Sequence, residues 1–96
     1  MWVRMTTLQG ARQSLEDGAR MINEDVIPHA KELAGFVGGY WFGDRESGKV
    51  VGFTLWDSLE HLRDSEEAAS KLRQQAAQQA GGMIASVEIF ELIAQA

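Results

Sequence analysis

The feature that most constrains the fold of this chain is the order in which its hydrophobic periodicity changes. Strand-type stretches cover residues 2–8, 36–42, 49–56 and 84–93. Between the first two, and again between the last two, apolar residues recur every three or four positions, as they do on one face of a helix. Gly35 and the pair Gly81-Gly82 end these helical stretches. The pattern therefore predicts the order β-α-β-β-α-β.

Local signals set the limits of the two predicted helices. Ser14 is a residue type that caps helix N-termini, so the first helix is expected to begin there. Pro28 has no amide hydrogen, which predicts a bend or a restart within that helix. Asp57, followed three residues later by Glu60, fits a capping box, and the second helix should run from there to about Gln79.

This element order is typical of the α+β ferredoxin-like arrangement, a four-stranded antiparallel sheet with two helices on one face. We expect one such domain over residues 1–96. The helices cover a single face of the sheet, yet the strands carry apolar side chains on both faces. Phe53 and Leu55 point away from the face of Trp56, and Ile89 and Phe90 point to different faces. A solvated face of an antiparallel sheet should be polar. The free face therefore needs a partner, and a second copy in a homodimer is the simplest one.

Composition excludes several classes of protein. The chain has no cysteine, which excludes a disulfide scaffold and thiolate chemistry. A formal charge of −5 argues against nucleic-acid binding. No apolar run approaches the roughly 18 residues of a membrane span, and the N-terminus lacks the apolar region of a signal peptide. We therefore expect a soluble, cytoplasmic protein that does not act on membranes.

Three segments carry a resemblance to a known family. They are Pro28 followed by Gly35-Phe36-Val37-Gly38, the run from Thr54 to Glu60, and the closing run from Ser86 to Glu91. Together they resemble the dimeric α+β barrel superfamily, in particular small proteins of the antibiotic biosynthesis monooxygenase type, over essentially the whole chain. The resemblance implies two sheets packed face to face as a barrel. It also implies a pocket in each subunit between the sheet and the helices.

Some members of that superfamily degrade heme, using an Asn on the first strand, a Trp on the third and a His on the second helix. Trp56 occupies the place of the Trp, but residues 4–7 of the first strand include no Asn. His61 falls in the first turn of the helix, and Glu66, a poor heme ligand, stands nearer the place of the His. We therefore expect neither heme nor any other cofactor.

Trp56 is the strongest candidate for a binding residue. Either it forms a pocket wall that stacks on a flat substrate, or it is a core residue that seals the sheet against the second helix. Gly52 and Thr54 share its strand face and are small, which predicts space beside the indole. The pair Gly38-Gly39 predicts a bulge or further room for a ligand. Thr54, together with Thr6 on the first strand, is expected to line this space.

The two histidines are candidates for acid–base chemistry or for metal binding. His61 is either a general base or an exposed helix residue bonded to Glu60 or Asp64. His29 follows Pro28 at the helix bend and is expected to be structural or exposed. One histidine among surface carboxylates is not a recognisable ligand set, so we predict no metal site.

Arg4 is the only charged residue of the first strand. If its face lines the pocket, Arg4 would hold a carboxylate, a phenolate or an enolate. Otherwise it would pair with Glu88 or Glu91 across the sheet. Tyr40 and Trp41 point to opposite faces, so one can join the pocket and the other the dimer core. Tyr40 is taken as the pocket residue.

Two functions remain open at this point. The first is a cofactor-independent oxygenase that acts on an aromatic or polyketide-like compound, with His61 and Arg4 as catalytic residues. Its substrate-binding residues would be Trp56, Tyr40, Thr54 and Thr6. The second is a non-enzymatic ligand-binding or structural dimer with the same fold, because a fold alone does not fix a function.

Overall fold

The computed structural model describes all 96 residues and has the predicted order of elements. The strands are β1 (Trp2–Gln9), β2 (Phe36–Gly43), β3 (Lys49–Trp56) and β4 (Met83–Glu91). The helical segments are a 3-10 turn (Arg12–Ser14), α1 (Leu15–Met21), a π turn (Ile22–Val26), α2 (Ile27–Ala30), α3 (Leu59–Asp64) and α4 (Glu66–Gln79). None of these helices is both long and apolar enough to cross a membrane. The α+β ferredoxin-like prediction is confirmed.

The sheet has the strand order β2-β3-β1-β4, and every neighbouring pair is antiparallel. Arg4 on β1 lies opposite Thr54 on β3, and Trp2 lies opposite Trp56. Since side chains opposite one another share a sheet face, these four residues point to the same side. That side carries the helices, because Thr54 and Trp56 line one cavity together with residues of both helical regions. The two central strands thus supply the floor of the site.

The first helical region restarts at Pro28, as predicted. Pro28 stands in the first turn of α2, directly after the π turn at Ile22–Val26. A π turn shifts the hydrogen-bond ladder by one residue, which accommodates the missing amide hydrogen of a proline. Gly35 then takes a positive φ of 82° and leads the chain into β2. Both signals found in the sequence therefore act as expected.

The second helical region differs from its prediction in two respects. It is interrupted at Ser65, which separates α3 from α4. Its N-cap is Ser58 and not Asp57, because the Ser58 hydroxyl accepts a hydrogen bond from the backbone N–H of His61 at 3.1 Å. Helix α3 begins at Leu59, so the residue three positions after the cap is His61. The capping box of Asp57 and Glu60 is therefore wrong.

Asp57 has a different role at this helix start. One of its carboxylate oxygens lies 2.7 Å from Nδ1 of His61, and both side chains are about half exposed. The hydrogen bond to Asp57 raises the pKa of His61. The same hydrogen bond lowers the pKa of the Asp57 carboxyl group. The pair is thus a surface contact that closes the junction between β3 and α3.

The structure confirms the predicted bulge and the end of the second helical region, and it corrects the end of the last strand. A register shift between Phe36 and Gly38 confirms a bulge at the start of β2, at the residue before the glycine pair. Strand β4 ends at Glu91, so Ile93, which was placed in this strand, lies beyond it and is 91% exposed. Gly81 has a φ of 67° and ends the second helical region as expected.

The sheet face that points away from the helices is apolar and exposed. Tyr40 is 64% exposed, Phe42 is 56% exposed and Phe90 is 47% exposed. Phe42 packs edge-to-face against Phe53 with ring centroids 5.9 Å apart. We call this surface the open face, defined by Val3, Met5, Tyr40, Phe42, Val51, Phe53, Leu55 and Phe90. Its composition matches the expectation of apolar side chains on both sides of the sheet.

Replacement of Gly35 by alanine should destabilise the fold. A left-handed backbone costs a non-glycine residue about 1–2 kcal/mol, and the new Cβ would also overlap the Cβ of His61. We expect the free energy of unfolding, measured by urea titration, to fall by at least about 2 kcal/mol for Gly35→Ala. Gly38→Ala is the matched control, because a Cβ there meets nothing within 4 Å. Equal midpoints for the two variants would contradict this account of the turn.

The Asp57–His61 contact predicts a dependence of stability on pH. A histidine with a raised pKa stabilises the fold while it is protonated, and it loses this contribution as the pH rises through that pKa. Asp57→Asn should therefore lower the pKa of His61, measured by NMR titration of the imidazole, toward the ordinary value near 6.5. The stability difference from the wild type should shrink above the pKa of His61. Asp17→Asn, at a remote exposed carboxylate, should change neither quantity. An unchanged imidazole titration in Asp57→Asn would refute the assignment.

Candidate functional site

A cavity of about 70 Å³, partly open to solvent, lies between the sheet and the helices. Most of its lining is apolar. The helical side contributes Ile22, Val26, Ala30, Leu33, Ala69, Leu72 and Ala76, and the sheet contributes Leu8, Trp41, Val50, Gly52 and Trp56. A mostly apolar cavity with a few polar groups is the usual form of a small-molecule site. The resemblance placed a pocket between these same layers.

The polar side chains of the cavity are few and come from three elements. Arg4 and Thr6 come from β1, Thr54 comes from β3, and Arg73 comes from α4. Arg4 is 3% exposed, so a full positive charge stands inside the layer between sheet and helices. This set includes three of the residues that the sequence proposed for binding or catalysis, namely Arg4, Thr6 and Thr54. Arg73 was not predicted.

Trp56 combines the two roles that the sequence left open. It is 1% exposed and packs edge-to-face against Phe36, with ring centroids 5.5 Å apart, as a core residue does. It also lines the cavity. Its Nε1–H donates to the Thr54 hydroxyl at 3.0 Å, so the polar edge of the indole is satisfied inside the protein. The ring is therefore held in one orientation before any ligand binds.

Arg4 connects the sheet to the second helical region. Its Nη2 donates to the carbonyl oxygen of Leu62 at 2.8 Å and to Oγ of Ser65 at 3.1 Å. The same nitrogen lies 2.9 Å from a carboxylate oxygen of Glu66. The guanidinium carbon lies 5.5 Å from the centre of the Trp56 ring, within the range of a cation–π contact. The alternative pairing of Arg4 across the sheet with a glutamate of β4 is wrong, because its face turns toward α3 and α4.

Arg73 and Glu66 complete the charged group at the cavity. Nη2 of Arg73 donates to the second carboxylate oxygen of Glu66, so one carboxylate bridges both arginines. Burial lowers the pKa of Arg4, and the nearby Glu66 offsets this only in part. Burial alone would raise the pKa of Glu66, but its contacts with Arg73 and Arg4 outweigh that effect and lower it. Glu66 is therefore an ionised counter-ion and a weak base.

The structure brings Trp41 to the cavity in place of Tyr40. Tyr40 lies opposite Phe53 on the open face, whereas Trp41 lies opposite Gly52 on the helix face. The glycines expected to leave room for a ligand make room for this indole, since a Cβ at Gly39 or at Gly52 would lie 2.8 Å from Trp41 atoms. The predicted cavity role of Tyr40 is therefore wrong. Trp41 pairs with Gly52 across the β2–β3 hairpin and so shares its sheet face. This pairing was the signal that could have identified Trp41 as the cavity residue.

His61 does not reach the cavity. Its imidazole is 41% exposed and is bonded to Asp57, and it is absent from the cavity lining. The expected partners Glu60 and Asp64 are not the ones it uses. His29 lies on the surface of α2, where Nδ1 is 2.7 Å from the carbonyl oxygen of Asp25. The structure thus separates His61 from Arg4 and Trp56, with which it was grouped.

A second, shallower concavity of about 400 Å³ lies between α1 and the edge strand β2. Its lining includes Tyr40 and the exposed ion pair of Arg45 with Glu16. Every charged residue that lines it is exposed to solvent. Because no polar group is buried there to orient a ligand, the cavity between sheet and helices is the candidate site.

Comparison with known proteins gives sequence relatives of undefined activity. Two curated proteins of Mycobacterium tuberculosis, both named as uncharacterized, are similar to the chain. One is 31% identical over 77 residues, which are 80% of this chain and 33% of the relative. The other is 28% identical over 94 residues, 98% of this chain and 42% of the relative. The chain thus spans about two fifths or less of these relatives' length. No protein-family model matches it.

Solved structures give a similarity of fold over nearly the whole chain. A monooxygenase of Streptomyces coelicolor, in complex with nanaomycin D, is similar with a TM-score of 0.71 at 14% identity. The match covers 99% of this chain and 88% of the monooxygenase chain. A dimeric ferredoxin-like protein of an uncultured marine organism has a TM-score of 0.71 at 12% identity, and the match covers 98% of this chain and 95% of that protein's chain. An antibiotic biosynthesis monooxygenase has a TM-score of 0.69 at 11% identity, and the match covers 98% of this chain and 100% of the monooxygenase chain. The chain therefore has the fold of the antibiotic biosynthesis monooxygenase structures, as its sequence resemblance predicted.

Proposed function

We propose that the chain is a monooxygenase-like protein that binds a small aromatic compound in the cavity between sheet and helices. The observation that carries this proposal is the position of Trp56. Its ring is locked by packing and by the bond to Thr54, and it forms a wall of an apolar cavity that also holds Arg4. A fixed flat indole beside a cation is suited to orient a flat ligand with one polar end.

The volume of the cavity limits the size of the ligand. An apolar cavity of about 150 Å³ can bind benzene, so a cavity of about 70 Å³ has room for at most one aromatic ring. A fused polycyclic compound would require α2 or α4 to move away from the sheet. We therefore favour a single-ring ligand over a polyketide-sized one.

Oxidation without a cofactor is the reaction that we assign to this site. The substrate would lose a proton, and its carbanion would react directly with oxygen. A C–O bond forms at that carbon, two hydrogens leave the substrate, and the second oxygen atom leaves as water. The substrate itself supplies the electrons. Arg4 would stabilise the anion, while Trp56 and the apolar lining would keep bulk water away.

A second function, ligand binding without turnover, is favoured by the lack of a base in the cavity. His61 lies outside it, and Glu66 is held ionised between two arginines. A proton acceptor would then have to be water. Oxygen uptake by the protein in the presence of a bound single-ring phenol distinguishes the two functions, because only the oxygenase consumes oxygen faster than a protein-free control.

We also propose that the protein is a homodimer that pairs through the open face. The open face exposes Tyr40, Phe42 and Phe90 in one chain, and an unpartnered apolar sheet surface of this kind is unusual for a monomer. A second copy covers it with the same surface, as two-fold symmetry requires. The similar fold of a dimeric ferredoxin-like protein supports this assembly.

Replacement of Trp56 by phenylalanine tests the binding function. Trp56→Phe should weaken the binding of nitrobenzene, a neutral flat probe, by about tenfold, or about 1.4 kcal/mol, in calorimetric titration. Trp2→Phe is the matched control, since Trp2 lies on the same sheet face but does not line the cavity. Thermal melts of both variants report stability separately. A lower melting temperature with unchanged affinity for nitrobenzene would show that Trp56 is only a core residue.

Light scattering after size exclusion tests the dimer. The wild type should have about twice the chain mass of 10.6 kDa. Phe42→Glu places a charge on the open face and should shift the protein toward the mass of one chain. Ile89→Glu is the control, because Ile89 is 46% exposed but points to the helix side of the edge strand β4. A folded wild-type monomer at micromolar concentration would contradict the proposed assembly.

A further inference from the structure

The charges around the cavity do not balance. Arg4 and Arg73 line it, and the carboxylate of Glu66 is the acidic partner of both. The group therefore carries one net positive charge, although the chain as a whole has a formal charge of −5. A local positive charge inside a mostly apolar lining attracts anions strongly, because the surrounding medium screens it little.

The two arginines differ in the number of acceptors around Nη2 and in the number of buried nitrogens left unpaired. Nη2 of Arg4 has three acceptors, on Leu62, Ser65 and Glu66, and the residue is 3% exposed. Its Nε is buried and has no hydrogen-bond partner. Arg4 is thus mainly a fixed structural cation that is held through Nη2, with its buried Nε unpaired.

Arg73 leaves most of its donors free. Its side chain is 14% exposed, and only Nη2 is bonded, to Glu66. Nε and Nη1 are both buried without a partner. Buried donors in native proteins are nearly always satisfied, and charged donors are the most costly to leave unpaired. Arg73 therefore offers a ligand two buried donor nitrogens without partners, against one on Arg4.

Glu66 is the ion-pair partner of Arg73 that an incoming anion can displace. Its side chain is 48% exposed, so it can turn toward solvent without the loss of a buried environment. Contacts with both arginines keep it ionised, as the lowered pKa of its carboxyl group reflects. An incoming anionic oxygen could replace one of its oxygens at Arg73, while the contact with Arg4 remains.

We infer that the cavity selects a planar single-ring anion, a phenolate or an aryl carboxylate, whose charged oxygen is bound by Arg73 and whose ring lies against Trp56. The inference rests on the proposed binding function and adds to it the charge of the ligand and the residue that recognises that charge. Recognition of an anion also explains how the ligand can lose its proton in a cavity that contains no base. A site that stabilises the anion lowers the pKa of a bound phenol, so the proton passes to water as the ligand enters.

The probe that tests this is 4-nitrophenol, because its phenolate absorbs visible light and its neutral form does not. When it is titrated into the wild-type protein below its solution pKa, the phenolate band should grow. The pKa of the bound probe should fall by at least about one unit, which is a tenfold preference for the anion. Nitrobenzene, of similar shape and without charge, should bind at least about tenfold more weakly than the phenolate.

Three substitutions test whether Arg73 is the residue that binds the charged oxygen of the ligand. Arg73→Met should reduce the preference for the phenolate over nitrobenzene by at least about tenfold. Lys71→Met is the matched control, since it removes one positive charge from an exposed position on the same helix and should change neither affinity. Glu66→Gln removes the competing carboxylate and should tighten phenolate binding severalfold. This third variant keeps the test decisive even if Arg73→Met fails to fold.

The outcomes separate the two proposals. If nitrobenzene and 4-nitrophenol bind equally and no phenolate band grows, the anion site is refuted and the aromatic cavity stands. An unchanged preference in Arg73→Met, or weaker phenolate binding in Glu66→Gln, likewise overturns the assignment of Arg73. If neither probe binds, the cavity is not a ligand site and both proposals fall. Benzoate should displace the phenolate and benzamide should not, and displacement by benzamide would overturn charge selection.

Discussion

The contact on which the rest of the site depends is the burial of Arg4 against the break between α3 and α4. A buried guanidinium must find acceptors, and Arg4 finds them at the Leu62 carbonyl, the Ser65 hydroxyl and Glu66. Ser65 is the residue at which the helix is interrupted, and its hydroxyl also donates to the Leu62 carbonyl at 2.6 Å. The break and the buried charge therefore lie at the same place. Together they fix how α4, with Arg73 on it, lies over the sheet.

This arrangement gives the two faces of one sheet different tasks. On the helix face, Trp41 and Trp56 enclose a small cavity with a cationic end. On the open face, Phe42 and Phe53 form part of an apolar surface that extends over the sheet. Strand alternation produces both surfaces from the same strands, so neighbours such as Tyr40 and Trp41 serve opposite sides. A site for a ligand and a surface for a second copy follow from one pattern.

The topology was predictable from the sequence because each element has its own period and its own end signal. Gly35 and Gly81 take the positive φ values that their positions suggested, and Pro28 marks the restart of the first helix. Arg4, Thr6, Thr54 and Trp56 also reached the same cavity as expected, because antiparallel register places them on one face. The parts that follow from local chemistry and strand parity were therefore accessible from the amino-acid sequence alone.

The misses had two causes. The N-cap at Ser58 is a local bond to an amide three residues away, and hairpin parity with Gly52 could have selected Trp41. The exclusion of His61 from the cavity depended on how the helices pack on the sheet. Arg73 lies in a run of helix formers that reads as solvated, and only the fold turns it toward the cavity. Its pairing with Glu66, seven positions earlier on α4, was not visible in the sequence pattern.

The central claim is that the cavity between sheet and helices, with its cationic end, is the ligand site. It is tested most directly by NMR observation of the three tryptophan indole N–H signals and the arginine Nε–H signals during titration with benzoate. The signals of Trp41, Trp56 and Arg73 should shift together with one binding constant, and the signal of Trp2 should not move with them. Saturable shifts confined to the open face, with these three signals unchanged, would contradict it.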